Sequence, residues 1–487
     1  MAPRILVVPS RDNVHLLDGI VSTLGRVGEI DDVAAVVPDR RGERTLRRDG
    51  RAEYAEVHCM QRVHPTLEDE PLDVDRLAEI ERRYGEPFLQ RFVLADDFLR
   101  QASHDEQRRF VQHRFDFFEA LFSRFGPDVL LTDILDDADV LIPFHLASRT
   151  GRALWWKSTR VGEHFGILEN TPFDSFARVD RLFEQFKSHG EIPDAFDSSR
   201  RQAEAYVESF REREVRPGYY ARRAASYVSA MYRPVVPRAA FRRENILDAW
   251  ERLRGRRGFR TRSLPAVLSD HATHVYNQRM ARWRNVFERP PTNEKYVFFP
   301  LHAQPEPSTT ILAPMYLDQI DLLRQVSRSI PLRQELYVKE HPRMFRDNPR
   351  SIEYYRRLRQ LPNVHLVHPT VSSYELTRNC NLLVTITGTA ALEAVIHRKP
   401  AVTFGRAHFN GLSMVYEAGD PSDLSGLIDR AMTEHEHDEA ELLWYMTALF
   451  AGSFELSPDP FSGIDAAQQY DLAEVLADRL HDHVFDG

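Results

Sequence analysis

The chain has 487 residues, of which 42% are hydrophobic and 10% aromatic, so it can bury the cores of two or three globular domains and is not a disordered protein. Its 73 acidic and 64 basic residues give a net charge of −9, which provides no general reason to expect nucleic-acid binding. Two cysteines, Cys59 and Cys380, are too few for a disulfide framework and fit a reducing cytoplasm.

Neither a secretion signal nor a membrane span is expected. Residues Met1–Pro9 lead directly into an apolar strand pattern and lack the features of a signal peptide. No apolar run approaches the ~20 residues that a spanning helix needs. We therefore predict a cytoplasmic protein, which could still bind the inner face of a membrane through its surface.

The N-terminal half begins with the pattern of a doubly wound α/β domain. A buried strand is predicted at residues 4–8, a helix at 15–24 and a second strand at 33–37. In a parallel sheet the loop after the first strand faces the ligand cleft, so its polar residues are candidate substrate contacts. Capping of the helix by Asp12 or Asn13 is the alternative. Those polar residues are Ser10, Arg11, Asp12, Asn13 and His15.

A carboxylate cluster follows another predicted strand of this half, at residues 128–131. Its members are Asp133, Asp136 and Asp137. Carboxylates gathered at a strand end can raise the pKa of one member and supply a general base or a nucleophile. They can equally cap the next helix, whose N-terminal dipole favours negative charge. Both interpretations stay open, and because the spacing is not that of a metal motif, no metal or other cofactor is predicted.

In two segments of the first 300 residues, the apolar residues show no clear helical or strand period. Residues 40–98 are charged and weakly patterned. Arg233–Arg262 contains ten arginines and three acids, punctuated by proline and glycine. A solvated linker is the default interpretation of this basic segment. The alternative is a patch for an anionic glycan, lipid headgroups or a membrane surface, giving peripheral membrane association.

From Lys295 onward, strands and helices alternate as in a parallel sheet. The predicted domains are residues 1–215 (Rossmann-like, acceptor side), 216–292 (basic interdomain region), 293–455 (Rossmann-like, nucleotide-sugar binding) and 456–487 (closing helix). Polar residues follow four of the predicted strands, and they should meet at one edge of the sheet because parallel strands end together. They are His302, Gln304 and Glu306; Lys339 and His341; Thr387, Gly388 and Thr389; and Arg406.

The loop Thr387–Thr389 between a buried strand and a helix suits an anion. Gly388 would allow a ligand to approach the backbone closely. The free N–H groups of Thr389–Ala391, together with the helix dipole, would bind a phosphate or diphosphate. Glu393, one turn into the helix, could accept hydrogen bonds from ribose hydroxyls. The alternative needs no ligand, because Thr389 could be an N-cap and Glu393 an ordinary first-turn acid.

The sequence KEHP at Lys339–Pro342 is the second anion signal. A lysine and a histidine two residues apart at a strand end can both reach one anion, and His341 could hold a phosphate and help the leaving group depart. A plain turn after a strand is the alternative.

Four stretches resemble the capsular polysaccharide biosynthesis family, which includes transferases of Kdo (3-deoxy-manno-octulosonic acid) that use a CMP-linked donor. The resemblance implies a GT-B glycosyltransferase, with two Rossmann-like doubly wound domains facing a cleft and the donor held mainly by the C-terminal one. It also implies that His341 and the Thr387–Thr389 loop hold the donor phosphate and Glu393 the nucleotide ribose. Gln304 and Glu306 would lie near the transferred sugar. The stretches are Pro300–Glu306, Tyr337–Pro342, Thr385–Ala394 and Lys399–Gly405.

The predicted function is therefore transfer of a sugar to a glycan or lipid-linked acceptor in surface or capsular polysaccharide synthesis, with Kdo or a related acidic sugar from a CMP-linked donor favoured. The catalytic carboxylate would be Asp133, Asp136, Asp137 or Glu306, acting as a base in an inverting enzyme or as a nucleophile in a retaining one. Two alternatives remain: a nucleotide-sugar epimerase of the same architecture, and a non-catalytic glycan-binding assembly protein.

Overall fold

The structure is a computed structural model. It describes residues 2–10, 12–63, 71–84, 89–96, 98–133, 135, 137–149, 153–159, 161, 165–170, 176–213, 269, 272–277, 279–280, 286–288, 295–347, 349–456 and 464–484. Arg11, Asp136 and the basic segment Arg233–Arg262 lie outside these residues, so the predictions made for them stay predictions.

Within the described residues the first sheet has seven strands, and β1 to β5 pair with one another in parallel. Its spatial order is β3-β2-β1-β4-β5, followed by two strands that continue the sheet beyond β5, β6 antiparallel to β5 and β13 antiparallel to β6. The strands are β1 (Ile5–Val8), β2 (Val33–Val37), β3 (Glu56–Cys59), β4 (Val129–Thr132), β5 (Ala153–Ser158), β6 (Phe165–Glu169) and, from the C-terminal end of the chain, β13 (Phe454–Glu455).

The second sheet has six strands, all parallel, in the spatial order β9-β8-β7-β10-β11-β12. Taken from its first strand, this is the order 3-2-1-4-5-6 of a dinucleotide-binding fold, in which ligands bind where the strand order reverses. The strands are β7 (Tyr296–Pro300), β8 (Glu335–Lys339), β9 (Val364–Val367), β10 (Leu382–Thr385), β11 (Ala401–Thr403) and β12 (Val415–Glu417). Two Rossmann-like, doubly wound domains of GT-B type are therefore confirmed.

Helices cover both faces of each sheet. The described helices of the first half are α1 (Val14–Arg26), α2 (Arg40–Asp49), α3 (Met60–Val63), α4 (Val74–Tyr84), α5 (Gln90–Ala95), α6 (His104–Phe125), α7 (Ala138–Ser148), α8 (Ala177–His189) and α9 (Asp197–Glu212). The described helices of the second half are α10 (Pro307–Thr310), α11 (Gln319–Ser329), α12 (Pro342–Asp347), α13 (Ile352–Arg359), α14 (Ser373–Asn379), α15 (Ala390–Ile396), α16 (Leu424–Thr433), α17 (Glu439–Gly452) and α18 (Ala466–Val484).

Alternating side chains of β7 show why this strand forms the centre of the second sheet. Val297 and Phe299 enter the core formed with α11 and α13, whereas Tyr296 and Phe298 enter the core on the opposite face. Both phenylalanines are fully buried, and burial of such a side chain stabilises the fold by roughly 1.5–3 kcal/mol. A strand that is apolar on both faces can only lie inside a sheet covered by helices on both sides.

Each domain is completed by segments from the other half of the chain. Helices α8 and α9 share one core with the second sheet and with α17, whose Tyr445 packs edge-to-face on Phe183. In the opposite direction, α18 packs on α1 of the first domain, and β13 extends the first sheet. Ile311, which directly follows α10, also enters the core of the first domain. The carboxyl edge of the second sheet is thus held next to the first domain.

Gly19 allows α18 to approach α1 closely. A Cβ atom at this position would lie 2.6 Å from the Ala473 Cβ and 2.8 Å from the Tyr470 ring. Tyr470 itself donates a 2.7 Å hydrogen bond to the buried Asp18 carboxylate, so its ring is fixed in place. Because this hydrogen bond holds Tyr470 on α18 next to α1, the ring cannot easily move away from a side chain added at Gly19.

We expect Gly19→Ala to destabilise the protein by about 1–3 kcal/mol, because the added methyl group overpacks this contact. The matched control is Gly426→Ala in α16, where the nearest atom to a new Cβ is the end of the flexible Arg430 side chain at 3.8 Å. That control should be neutral or stabilising by up to about 1 kcal/mol, because alanine favours a helix over glycine. Denaturant unfolding measures both, and equal midpoints for the two variants would contradict this account.

No helix in the described parts of the chain combines the length and the apolar character that crossing a membrane requires.

Candidate functional site

The candidate site lies where the strand order of the second sheet reverses, between the tips of β7 and β10. His302 follows β7 and Thr387 follows β10, and the Thr387 backbone N–H donates to the His302 Nε2 at 3.4 Å. The Thr387 hydroxyl donates to the Ser308 carbonyl at 2.7 Å, which ties the β10 loop to the start of α10. The two predicted loops therefore form one surface at the position where this fold binds ligands.

The structure gives Gly388 a different role from the one expected. A Cβ atom there would lie 2.7 Å from the Thr385 Oγ1 and 3.4 Å from the His302 Nε2, so the space that glycine leaves is filled by protein. The expected set of three free N–H groups is also corrected, because the Ala391 N–H donates to the Gly388 carbonyl at 3.0 Å. Thr389 occupies the N-cap position, but its side chain makes no capping hydrogen bond.

The glutamate of the KEHP sequence, Glu340, is part of a buried ionic network. The Glu340 side chain is 1% exposed and the Arg350 side chain 7%, and the Arg350 Nε donates to the Glu340 Oε2 at 3.0 Å. Glu340 also accepts hydrogen bonds from the Tyr355 hydroxyl at 2.8 Å and from the His341 N–H at 2.6 Å. Because the carboxylate is paired and fully hydrogen-bonded, it fixes the backbone at His341.

Arg350 connects this network to the loop after β7. Its Nη2 donates to the His302 carbonyl at 2.7 Å, and its Nη1 lies 3.4 Å from the Gln304 Oε1. One guanidinium group therefore holds the tips of both β7 and β8. A planar group with five N–H donors can make such divergent contacts, which a lysine ammonium cannot reproduce.

His302 is neutral and has one unused donor. Its ring is 7% exposed, and burial, followed by the charge of Arg350, lowers its pKa to about 4. Because Nε2 accepts from Thr387, the proton lies on Nδ1, and this buried Nδ1 has no hydrogen-bond partner among the described residues. An unpaired buried donor is costly unless a ligand or water satisfies it.

His341 is also neutral, with its donor directed away from the backbone. Its Nδ1 accepts from the Arg343 N–H at 3.2 Å, so Nε2 carries the proton. Burial of the ring, the Lys339 ammonium, the His302 ring and the two nearby guanidinium groups together lower its pKa to about 3. The cations that depress this pKa make the surroundings of His341 favourable for a negative charge.

The remaining predicted residues of these loops already make bonds within the protein. Lys339 is buried and donates to the Ser373 hydroxyl at 2.7 Å. The Gln304 amide nitrogen donates to the Leu317 carbonyl at 2.8 Å. Glu306 accepts from Arg343 at 2.9 Å, and its side chain is 24% exposed. All three lie on the same surface as His302 and His341, but the ligand contacts predicted for them stay predictions.

Glu393 and Arg406 lie on the β10–β11 side of this surface. Glu393 is half-buried on α15, in its first turn. Arg406 is exposed and 3.9 Å from Glu417, and it borders a cavity of about 220 Å³ that Asp180, Glu184 and His408 also line. Gly405, just before it, has no room for a side chain, because a Cβ would lie 2.5 Å from the Thr387 Cγ2.

The two described aspartates that were predicted as candidate catalytic residues, Asp133 and Asp137, accept hydrogen bonds within their own domain. Asp133 is 1% exposed and accepts hydrogen bonds from the Ser10 N–H at 2.8 Å, the Ser10 hydroxyl at 2.5 Å and the Asn13 amide at 2.7 Å. Asp137 is the N-cap of α7 and accepts from the Asp139 and Val140 N–H groups. Asn13 precedes α1 but makes no side-chain cap, because its amide is directed to Asp133.

Sequence reasoning missed Glu340, Arg350 and Tyr355. Glu340 lies inside the KEHP sequence, so its position was a usable signal. Arg350 comes ten residues later, beyond α12, and its charge alone favours an exposed position. Only the packing of α12 and α13 on the sheet places it beneath both loops.

Comparison with known proteins identifies one family. The model of the family described as "Capsule polysaccharide biosynthesis protein" matches residues 272–422, a range that contains the whole β7–β10 surface. The resemblance predicted from the sequence is thus confirmed over this part of the chain. Among curated proteins, no significant match to the chain was found.

Several solved structures are similar at low identity. The KpsC beta-Kdo 2,7 transferase of Thermosulfurimonas dismutans has 12% identity and a TM-score of 0.34, with 83% of this chain and 97% of that chain covered. The UDP-GlcNAc 2-epimerase of Methanocaldococcus jannaschii has 12% identity and a TM-score of 0.24, with 97% and 99% covered. The fold assignment rests on the strand order and not on these scores.

Proposed function

Because residues 272–422 match the capsule polysaccharide biosynthesis family, we propose that this protein is a glycosyltransferase that moves a sugar from a nucleotide-linked donor to a glycan or lipid-linked acceptor. The observation that carries the proposal is the hydrogen-bonded junction of His302 with Thr387, at the reversal of the second sheet. Ligands of parallel α/β sheets bind at such a junction.

The donor phosphate would lie against the two neutral histidines. The unpaired Nδ1–H of His302 and the Nε2–H of His341 supply two donors, and the surrounding cations supply positive charge. The N–H groups of Thr389 and Ala390, which make no backbone hydrogen bond among the described residues, could add two more. Preorganised donors of this kind stabilise the charge that develops on a leaving phosphate.

Among the described carboxylates predicted for catalysis, Glu306 is the one we propose as the base that accepts the proton of the acceptor hydroxyl. It lies on the loop that also carries His302 and Gln304, and it is partly open to solvent. Asp133 and Asp137 are engaged in hydrogen bonds that hold the backbone of their own domain. A carboxylate with those contacts is less available for proton transfer.

The donor to test first is CMP-linked Kdo or a related acidic sugar, since four stretches of the second half, Tyr337–Pro342 and Thr385–Ala394 among them, resemble the family that includes Kdo transferases. We expect calorimetry to detect binding of CMP or UDP, and assays with donor and acceptor to give a glycosylated product. A donor epimerised in the absence of acceptor would instead favour the epimerase alternative. Absence of binding to either nucleotide would overturn the proposed function.

A further inference from the structure

A cavity of about 220 Å³ lies between helix α8 and the loop that joins β11 to β12. Since a water molecule takes up about 30 Å³ of the liquid, the cavity has room for about seven waters, which is enough for one sugar ring. It lies at the β11–β12 side of the second sheet, whereas His302 and His341 follow β7 and β8. We call it the side cavity, and its polar and aromatic lining residues include Asp180, Phe183, Glu184, Arg406, His408 and Asn410.

A buried carboxylate, that of Glu441 on α17, joins the two walls of the side cavity. Its side chain is 3% exposed and accepts hydrogen bonds from the Ser413 N–H at 3.0 Å and from the Ser413 hydroxyl. It also accepts from the Lys187 ammonium at 2.8 Å, and Lys187 lies on α8 one turn beyond Glu184. Since breaking a buried ion pair of this kind is costly, the walls are fixed relative to one another before any ligand binds.

The lining combines aromatic and hydrogen-bonding side chains, as pockets for small polar molecules do. Phe183 is buried, and its ring packs edge-to-face on Tyr445 with the ring centroids 5.5 Å apart. The His408 ring is stacked on Phe176 at 4.2 Å, and its Nδ1 lies 2.5 Å from the Tyr445 hydroxyl. Both rings are therefore held in one orientation, so the side cavity presents a fixed shape to a ligand.

The charges of the lining favour a neutral sugar over an acidic one. The carboxylates of Asp180, Glu184 and Glu417 outnumber the guanidinium group of Arg406. Ionised carboxylates only accept hydrogen bonds, so they match the O–H donors of a sugar. The same carboxylates repel the negative charge of an acidic sugar or of a phosphate. A hydroxyl-rich, uncharged ring is thus the ligand that fits this lining.

The side cavity begins next to the β10 loop of the candidate site. Gly405 directly precedes Arg406, and a Cβ atom at Gly405 would lie 2.5 Å from the Thr387 Cγ2. The Gly405 N–H donates to the Ile386 carbonyl at 2.9 Å, and the Asn410 amide donates to the Gly405 carbonyl at 3.2 Å. One lining residue, Asn410, is thus bonded to the residue that packs on Thr387. A single oligosaccharide can therefore extend from the side cavity to the strand tips.

We propose that the side cavity binds a neutral sugar unit of the acceptor glycan, close to the unit that receives the transferred sugar. The assignment to the acceptor rests on the function proposed above, in which the donor phosphate lies at the tips of β7 and β8. The binding of a neutral sugar in the side cavity can be tested without it.

The first test uses two pairs of probes that differ only in one carboxylate: the methyl glycosides of glucose and glucuronate, and those of galactose and galacturonate. Ligand-observed NMR titrations with the full chain measure the four affinities. We expect at least one neutral probe to bind, at least about tenfold more tightly than its acidic counterpart, because like charges brought together oppose binding. Absence of binding by both neutral probes, or tighter binding of the acidic ones, would overturn the proposal.

The variant Gly411→Trp tests the location. A Cβ atom at Gly411 would lie 3.5 Å from the Phe183 Cε1, an ordinary contact, so an indole added there occupies the side cavity. Affinity for the neutral probe should fall at least about tenfold, because the bound sugar loses its space. The matched control is Gly419→Trp, outside the lining, where a Cβ would meet no described atom within 4 Å. Retained binding in Gly411→Trp, or an equal loss in the control, would contradict the location.

The variant Asp180→Asn tests the charge without filling the side cavity. It removes one carboxylate at nearly constant size, so the preference for the neutral over the acidic probe should fall at least about threefold. All three variants should keep the CMP affinity and unfolding temperature of the wild type. An unchanged preference in Asp180→Asn would overturn the proposed selection by charge, even if Gly411→Trp proved unstable.

The two proposals fail separately. If the wild type binds a neutral probe but no CMP, the side cavity remains a sugar site and the proposed function is contradicted. If it binds CMP but neither neutral probe, the side-cavity proposal alone is overturned.

Discussion

Replacing Arg350 by methionine is expected to destabilise the protein by about 3–5 kcal/mol, because it leaves the Glu340 carboxylate buried without its cationic partner. The same change removes the donor that holds the His302 carbonyl, so nucleotide affinity should also fall. Denaturant unfolding and CMP calorimetry measure the two effects separately.

A second substitution separates the effect on stability from the effect on the site. In R350M/E340Q the buried charge is gone, and much of the lost stability should return, because replacing both members of a buried pair is far less costly than removing one. Nucleotide affinity should stay low, since His302 and Gln304 still lack their guanidinium partner. Recovery of both properties together would contradict a positioning role for Arg350.

The control for Arg350 is Arg343→Met. Arg343 pairs with Glu306, but its side chain is 48% exposed, so the loss should be no more than about 1 kcal/mol. A loss as large as that of Arg350→Met would show that burial does not explain the difference between the two arginines.

Replacing His341 by alanine is expected to weaken CMP binding by about 10- to 150-fold, which corresponds to the roughly 1.5–3 kcal/mol of a hydrogen bond to a charged group. The chain contains a matched control, because His368 and Pro369 repeat the same dipeptide at the tip of β9, the edge strand of the second sheet. His368→Ala should leave the affinity unchanged. Calorimetry at constant pH compares the two variants.

The pH dependence of binding reports the charge of His341. Its pKa lies near 3, below the ordinary value, so in the free protein the ring is neutral across the neutral range and donates through Nε2–H. CMP affinity should therefore stay nearly constant from pH 7 to 9, where the phosphate charge of CMP is also constant. A tenfold loss of affinity per pH unit over this range would indicate that the protonated ring is the binding form.

The alternation of strands and helices in the second half could be predicted from the sequence because its strands are apolar on both faces. Runs such as Tyr296–Phe299 and Leu382–Ile386 fit only a covered parallel sheet, and their polar ends fall at one edge by geometry. For residues 40–98 the sequence predicted no helices or strands, for the opposite reason. Strand β3 lies at the sheet edge and is half-buried, and seven of the ten residues of α2 are charged, so neither has the periodic apolar pattern that identifies buried elements.

Side-chain roles were harder to predict than positions. The sequence placed Asp133, Gly388 and Thr387 correctly at strand tips, but each makes a contact within the protein that no spacing rule indicates. Asp133 meets Ser10 and Asn13 across more than a hundred residues of chain. Such partners are set by which strands become neighbours, and that is a property of the whole sheet.

By itself, the sequence determined that the second half is a parallel α/β domain, because local apolar periodicity depends only on neighbours along the chain. The polar residues after each strand led to the prediction of an anion site at the strand tips, which stays a prediction. The tertiary structure alone decided that Arg350 and Glu340 hold the two loops together, that His302 and His341 are neutral donors, and that α18 returns to the first domain. These features depend on burial and on contacts between distant residues, which arise only when the helices pack on the sheets.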